Sequence, residues 1–273
     1  MTGAQLKNSF TSVGEVDASV LPSTLTLHIT ANFQQLAYFI LSNVHRQVIF
    51  FGKYALHHIK TEVDLCETIR SIKQKDELLN LKFGSVVFAS DNNYELVPDE
   101  FLFLTNPLNS DIESLSTLQL SVVSRKSELL QKTAFELFSN CHWKHMNISL
   151  LKKLVAYMDD TTDKLFVQVG NDYLDVLCFD EQKQIQLMNR FSFQAANDFI
   201  YYLLLCANDL KIDRNKTELV LIGEVDIQSK IYDLCYRYFL NISFIQKPEN
   251  IHFSKAFDLF PKHLHYALYN FAL

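Results

Sequence analysis

Hydrophobic and polar positions follow two different periods along this chain, and the same succession of periods occurs twice. In the first half, Thr24–Thr30, Leu36–Ser42 and Gln47–Tyr54 are short runs rich in β-branched and aromatic residues, with a polar turn at Asn43 to Arg46 before the third. Such runs on short connections predict three strands in an antiparallel meander. Thr61-Glu-Val-Asp64 has the form of a capping box with Asp in place of Glu, and Leu65, Ile69, Ile72 and Leu79 continue it at helical spacing. Gly84–Ser90 is a largely apolar run, as expected for a buried strand. Tyr94–Pro98 then leads into Asp99-Glu-Phe-Leu102, with Pro98 placed to start a short helix.

The second half repeats this order. Lys164–Gly170, Tyr173–Asp180 and Ile185–Phe191 read as a second meander, with turns at Asn171-Asp172 and at Asp180 to Lys183. Ala196, Phe199, Leu203, Cys206 and Leu210 recur at steps of three or four and predict a helix. Thr217–Gly223 is a continuous apolar strand, and Asp226 is placed to cap a helix through Ile227, Ile231, Leu234 and Tyr238. Asn241–Gln246 is a last strand. Aligning Leu25 with Leu165 superposes the two patterns. Between them, Leu118 to Leu154 holds a strand, a helix at Lys126 to Phe138 and a second amphipathic segment at Ile148 to Tyr157. The expected organisation is a first domain over 20–125 and a second over 126–273, with a helical connection around 126–160.

Composition narrows the function more than it names it. The 273 residues are 48% hydrophobic and 21% charged, enough apolar mass for a real core. A net charge of −6, with no Lys/Arg cluster longer than two residues, argues against a nucleic-acid partner. The N-terminus has no apolar signal-like stretch, and the longest apolar run, Phe199 to Ala207, is far short of the roughly 20 residues a spanning helix needs. Five scattered cysteines suit buried reduced thiols. The expectation is a soluble cytoplasmic protein without a membrane span. Glycine is scarce: the six glycines include no two within ten residues of each other. A G-x-G-x-x-G turn or a P-loop, which need clustered glycines to bring backbone N–H groups onto phosphate, is therefore absent.

Two meander-and-helix halves resemble the duplicated ribonuclease-H-like, actin-like ATPase fold, an α/β fold of two mixed-sheet domains around a cleft. Tyr94–Phe103, Ser192–Leu205 and Leu219–Leu240 are similar to the corresponding stretches of a Bacteroidetes protein family of unknown function with that fold, more distantly similar to the pilus-assembly protein PilM. The resemblance covers roughly residues 20 to 270 and implies a fold and a place for a nucleotide. In actin-like ATPases two hairpins open with Asp-x-Gly, whose acids organise Mg²⁺ and whose glycines admit phosphate, and a Gly-Gly pair lies against the nucleoside. Here the three positions read His28-Ile29-Thr30, Gln168-Val169-Gly170 and Ile222-Gly223-Glu224. Both acids and one glycine of the pair are missing. Gly170, Asp172 and Gly223 remain as candidate cleft positions, Asp172 or Asp175 is the nearest substitute acid, and Gln168 could still position a water. No metal ligand set is visible.

The resulting expectation is a non-enzymatic binding or scaffold protein without a cofactor, with a protein partner. The alternative is a divergent nucleotide-binding ATPase, related to PilM-type proteins, that takes ATP with Mg²⁺. Three further features carry less. Cys141-His142-Trp143-Lys144-His145 offers three zinc-type ligands but no fourth at ligand spacing, and His57-His58 has no companion. The tail from Phe257 to Leu273 places Leu264, Leu268 and Phe271 at helical steps, for docking on its own domain or in a partner's groove.

Overall fold

The structure is a computed structural model that describes residues 9–105, 108–158, 163–247 and 251–270. It begins with strand β1 (Ser9–Gly14), then a meander of β2 (Leu25–Ala31), β3 (Gln35–Ser42) and β4 (Gln47–Ala55). Helix α1 (Glu62–Lys75) carries the chain to β5 (Ser85–Ser90), which pairs parallel to β2. A small antiparallel sheet of β6 (Tyr94–Pro98), β7 (Ser110–Leu115) and β8 (Leu120–Arg125) follows. Helix α2 (Glu128–Leu137) and strand β9 (Cys141–His145) return the chain to the first sheet, and α3 (Met146–Tyr157) leads away from it.

The second meander is β10 (Lys164–Val169), β11 (Tyr173–Phe179) and β12 (Ile185–Ser192). Helix α4 (Ala196–Asp209), strand β13 (Glu218–Gly223), helix α5 (Lys230–Tyr238) and strand β14 (Asn241–Phe244) complete that half. Strand β15 (His252–Phe253) crosses back to pair with β4, and a one-turn helix α6 (Tyr266–Tyr269) lies near the end. Strand order is β4-β3-β2-β5-β9 in the first half and β12-β11-β10-β13-β14 in the second, so the two sheets share one topology. The first sheet is extended beyond β4 by β1 and β15.

Strand alternation divides the interior into three cores. Leu25, Leu27 and Ile29 face α1 and α2, together with Leu65, Ile69 and Leu130. Leu165, Val167 and Val169 face α4 and α5, with Phe199, Leu203 and Cys235. The opposite faces of both sheets close on a shared core: Phe39 and Phe51 from the first sheet, Phe166 and Val220 from the second, Leu150 and Leu154 of α3, and all four residues of α6. The two halves are thus joined by a continuous apolar interior as well as by the chain.

The predicted capping box exists: the Thr61 hydroxyl accepts from Asp64 N at 3.1 Å and the Asp64 carboxylate from Thr61 N at 3.0 Å. The helix read as starting at Asp226 is capped instead by Ser229, whose hydroxyl accepts from Tyr232 N, while Asp226 holds the turn before it through Gln228 N at 2.7 Å. The Cys141–His145 cluster is an edge strand. A strand period of two puts His142 on the face opposite Cys141 and His145, so the three ligand types cannot converge. His145 accepts from Asn147 N as the cap of α3.

Candidate functional site

Strands β10 and β13 run parallel, and the turns that follow them meet the turn after β2. Thr30, Asn32 and Gln35 of the first hairpin, Gln168 to Asn171 and Tyr173 of the second and Ile222 to Glu224 after β13 line one crevice between the halves. This is the place where an open α/β sheet presents ligand sites, beyond strand carboxyl ends. The crevice is also lined by His265, Tyr266, Ala267 and Leu268. The C-terminal segment enters it and leaves about 40 Å³ free. Ligand pockets are roughly 300–1,000 Å³, so a nucleotide has no room beside the segment.

Several backbone amides that could meet a phosphate are already engaged. In the first hairpin the Asn32 carbonyl of the side chain accepts from Gln34 N at 2.9 Å and Gln35 N at 3.0 Å. Asn32 N donates to Gln35 O. In the second, Gly170 N donates to Tyr173 O at 2.8 Å. After β13, Gly223 N donates to His263 O at 2.9 Å and Glu224 N to Val169 O at 2.7 Å. The tail therefore supplies the acceptor for the Gly223 amide. Gly223 has φ +88°, and a Cβ there would stand 2.3 Å from Val169 O. A Cβ on Gly170 would stand 2.3 Å from the Tyr173 ring, so that glycine makes room for an aromatic neighbour.

Charged groups hold the segment in place. Lys53 on β4 reaches across to Glu224 at 3.0 Å, and Glu224 accepts from His265 Nε2 at 3.1 Å. Burial alone would raise the Glu224 carboxyl, but His265 and Lys53 outweigh it and hold it below its usual range. Burial pushes His265 down to about 4, so a neutral imidazole donates to a carboxylate. Its ring packs against Phe51 and Phe39, with centroids 5.0 and 6.1 Å away. The neighbouring His263 ring lies 2.7 Å from Val225 O and stacks on Phe244 at 4.1 Å.

The candidate acids are elsewhere or engaged. Asp172 sits exposed on its hairpin and lines a wider neighbouring cleft of about 560 Å³, not the crevice that holds Gly170 and Gly223. Asp175 is fully buried and takes two 2.8 Å bonds from Arg190. Arg190 also reaches Asp91 of the first half at 3.2 Å, and Asp91 accepts from the Tyr173 hydroxyl. The guanidinium lies 3.8 Å from the Tyr173 ring centre. Burial works against the Arg190 charge, but Asp175 and Asp91 outweigh it and hold the group firmly protonated. Among the described residues no three His, Cys, Asp or Glu side chains come together as a metal site. Within the crevice itself the residues present do not fit Mg²⁺–ATP: Glu224 is paired with Lys53 and His265, the amides of Gly170, Gly223 and Glu224 are bonded, and about 40 Å³ is free. What remains polar are Thr30 Oγ1, Gln35 Oε1 and Gln168 Oε1, buried without a protein partner on the crevice wall. The free volume admits a water or a few, which such oxygens ordinarily require.

One expectation widens in the structure. The tail docks on its own half, against α3 and β13, and also against β2 and β3 of the first; Phe271 lies outside the described residues. Lys53, Asp91, Arg190 and His265, which hold the halves and the tail together, carried no signal in the sequence beyond being charged.

Residues 22–242 match the family described as "Protein of unknown function (DUF3822)". The fold is similar to that of a Bacteroides thetaiotaomicron VPI-5482 protein with actin-like ATPase fold and unknown function, with a TM-score of 0.71 at 16% identity over 85% of this chain and 94% of that one. It is similar to a chain of the PilM-PilN type IV pilus biogenesis complex, with a TM-score of 0.64 at 10% identity over 90% and 97% of the two chains. The ethanolamine utilization protein EutJ from Carboxydothermus hydrogenoformans gives 0.53 at 10% identity over 93% and 90%. No curated protein matches the chain. Family match and fold together place this chain in the DUF3822 family, on the actin-like ATPase fold.

Proposed function

We propose that this chain is a non-catalytic binding or scaffold protein that keeps an actin-like frame closed with its own C-terminal segment in the place of a nucleotide. The observation that carries this reading is the bond from Gly223 N to His263 O, inside a crevice with about 40 Å³ left free. Phosphoryl transfer depends on metal-held charge stabilisation, and the acids that would supply it are absent at positions 28 and 168 or paired as Asp175 is with Arg190. A scaffold acts through partners, and the PilM-type structure similar in fold is itself a complex of two proteins. Free cysteine thiols, four of the five buried, suit a cytoplasmic setting.

Nucleotide binding is the competing reading, and the three unpartnered oxygens on the crevice wall are what favours it. On that reading Gly170 and Gly223 are cofactor positions and the tail must leave to admit ATP. Thermal melts of the full chain with and without millimolar ATP and Mg²⁺ separate the two. The scaffold reading expects no shift. A concentration-dependent rise in melting temperature, as linkage requires of a ligand that binds the folded state, would overturn it.

A further inference from the structure

Pro98 leads into a short 3-10 helix, Asp99–Leu104, that buries none of its residues. Phe101 to Leu104 make an unbroken apolar run within it. Phe103 is 78% exposed, Leu104 72% and Phe101 45%. Three residues per turn put Phe101 and Leu104 on one face, with Phe103 beside them. The turn is firmly held. Asp99 N donates to Gln119 O at 3.0 Å, the Ser121 hydroxyl to the Asp99 carboxylate at 2.7 Å and Thr105 N to Leu102 O at 3.0 Å. The helix also packs on β6 and β8. Single exposed apolar side chains need no explanation, but three on one anchored turn make a contact surface.

Charge says what covers it. From Asn92 to Ser124, the stretch that forms the small sheet, there is no Lys, Arg or His, while Glu95, Asp99, Glu100, Asp111 and Glu113 are acids. Five acids without a base make −5 here, against −6 for the whole chain. Asp111 and Glu113 are turned to β9, where they accept from Trp143 Nε1 and His145 N. Glu95 and Glu100 are exposed, and of the five acids only Glu113 has an ion-pair partner among the described residues. An anionic lipid surface would suit the phenylalanines but be repelled by these carboxylates. A second copy meeting the same patch about a two-fold axis would set acid against acid. A partner that is both apolar and basic satisfies the whole surface. The display is one compact turn, which suits the spaced anchors of an amphipathic helix.

We propose that the Asp99–Leu104 turn is the docking surface for a basic amphipathic helix of a partner protein. Its apolar face covers Phe101, Phe103 and Leu104, and its Lys or Arg side chains lie beside Glu100 and Glu95. The proposal rests on the scaffold reading and gives the partner a chemistry and a place.

The test is fluorescence anisotropy of a fluorescein-labelled Leu-Lys peptide, with leucines at helical spacing, against the full chain. A Leu-Glu peptide of the same pattern and a Gln-Lys peptide that keeps the charge without the apolar face are the controls. The Leu-Lys probe alone should bind, more weakly as NaCl is raised. Phe103→Ser combined with Leu104→Ser should weaken it about tenfold or more. Glu95→Gln combined with Glu100→Gln should weaken it and flatten the salt dependence. Tyr236→Ser combined with Leu240→Ser, 70% and 71% exposed on the other half, should leave it unchanged. Melting temperatures show that the variants are folded. Hydrogen exchange on the unaltered chain should show probe-dependent protection over residues 99–105. Absence of binding, equal binding of either control peptide, indifference to the change at 103 and 104, or protection elsewhere would overturn the proposal. Co-sedimentation with phosphatidylglycerol vesicles, or self-association, either of them abolished by Phe103→Ser with Leu104→Ser, would assign the turn to lipid or to a second copy and overturn it as well. No nucleotide enters this experiment, so its failure leaves the reading of the crevice untouched.

Discussion

With φ at +88° and an added Cβ only 2.3 Å from a backbone oxygen, Gly223 has no room for a side chain whatever the function of the turn. Gly223→Ala should destabilise the fold by at least about 1–2 kcal/mol, the cost of a left-handed conformation for an L-residue, without changing the response to ATP. Denaturant midpoints of both proteins with and without nucleotide check this. Burial also acts on histidine. His28, His145 and His265 are each pushed down to about 4. Between pH 6.5 and 4 the unfolded chain takes up protons that the folded chain refuses, so stability is full above 6.5 and falls as pH drops through that window. His28 is the cleanest case, since both ring nitrogens are buried without a partner. At pH 5 its share of the loss is about 2 kcal/mol. His28→Leu should be neutral or stabilising at pH 7, because it removes two unpaired polar atoms, and should reduce the loss at pH 5 by about that share. Urea midpoints at the two pH values measure it, and an unchanged acid response would contradict the assignment.

At the scale of elements, how much could be read from the sequence followed how local the signal was. The meanders, α1, α4 and β13 were legible because two-residue and three-to-four-residue periods are written within each segment. Strand β1 was not: Ser9–Gly14 is mostly polar and exposed, and it is a strand because β4, some 40 residues on, offers it an edge. Strand β9 hid behind its ligand-like residues, although its pairing with β5 mirrors that of β14 with β13. Convergence of Gly170 and Gly223 was legible from the repeated order. The tail in the crevice was not, because α6 has four residues and its position is set by contacts from both sheets. The start of α5 is a closer contest between two caps three residues apart. Since the Ser229 hydroxyl accepts from Tyr232 N, Ser229→Ala should cost about 1 kcal/mol, the ordinary value of an N-cap. A loss much smaller than that would return the helix start to Asp226.

Across the whole molecule, the halves are fastened at two places beside the crevice. Lys53 of the first half, Glu224 of the second and His265 of the tail form one fastening. Asp91 of the first half, with Arg190 and Asp175 of the second, forms the other. Removing one partner of a buried pair leaves an uncompensated charge, which typically costs about 3–5 kcal/mol. Arg190→Ala should therefore lose stability on that scale, since it strands two buried carboxylates, and calorimetry of wild type and variant reads the difference.

The central claim is that the tail occupies the nucleotide position and stays there. Amide hydrogen exchange over residues 223–225 and 263–269, with and without excess ATP and Mg²⁺, tests it most directly. The account predicts slow exchange at the bonded amides of residues 223–225 and of Leu264, Leu268 and Tyr269, and the same rates when nucleotide is added. Faster exchange of residues 263–269 on addition of ATP, with protection retained at 223–225, would mean that the tail had yielded its place to a ligand, and would contradict the account.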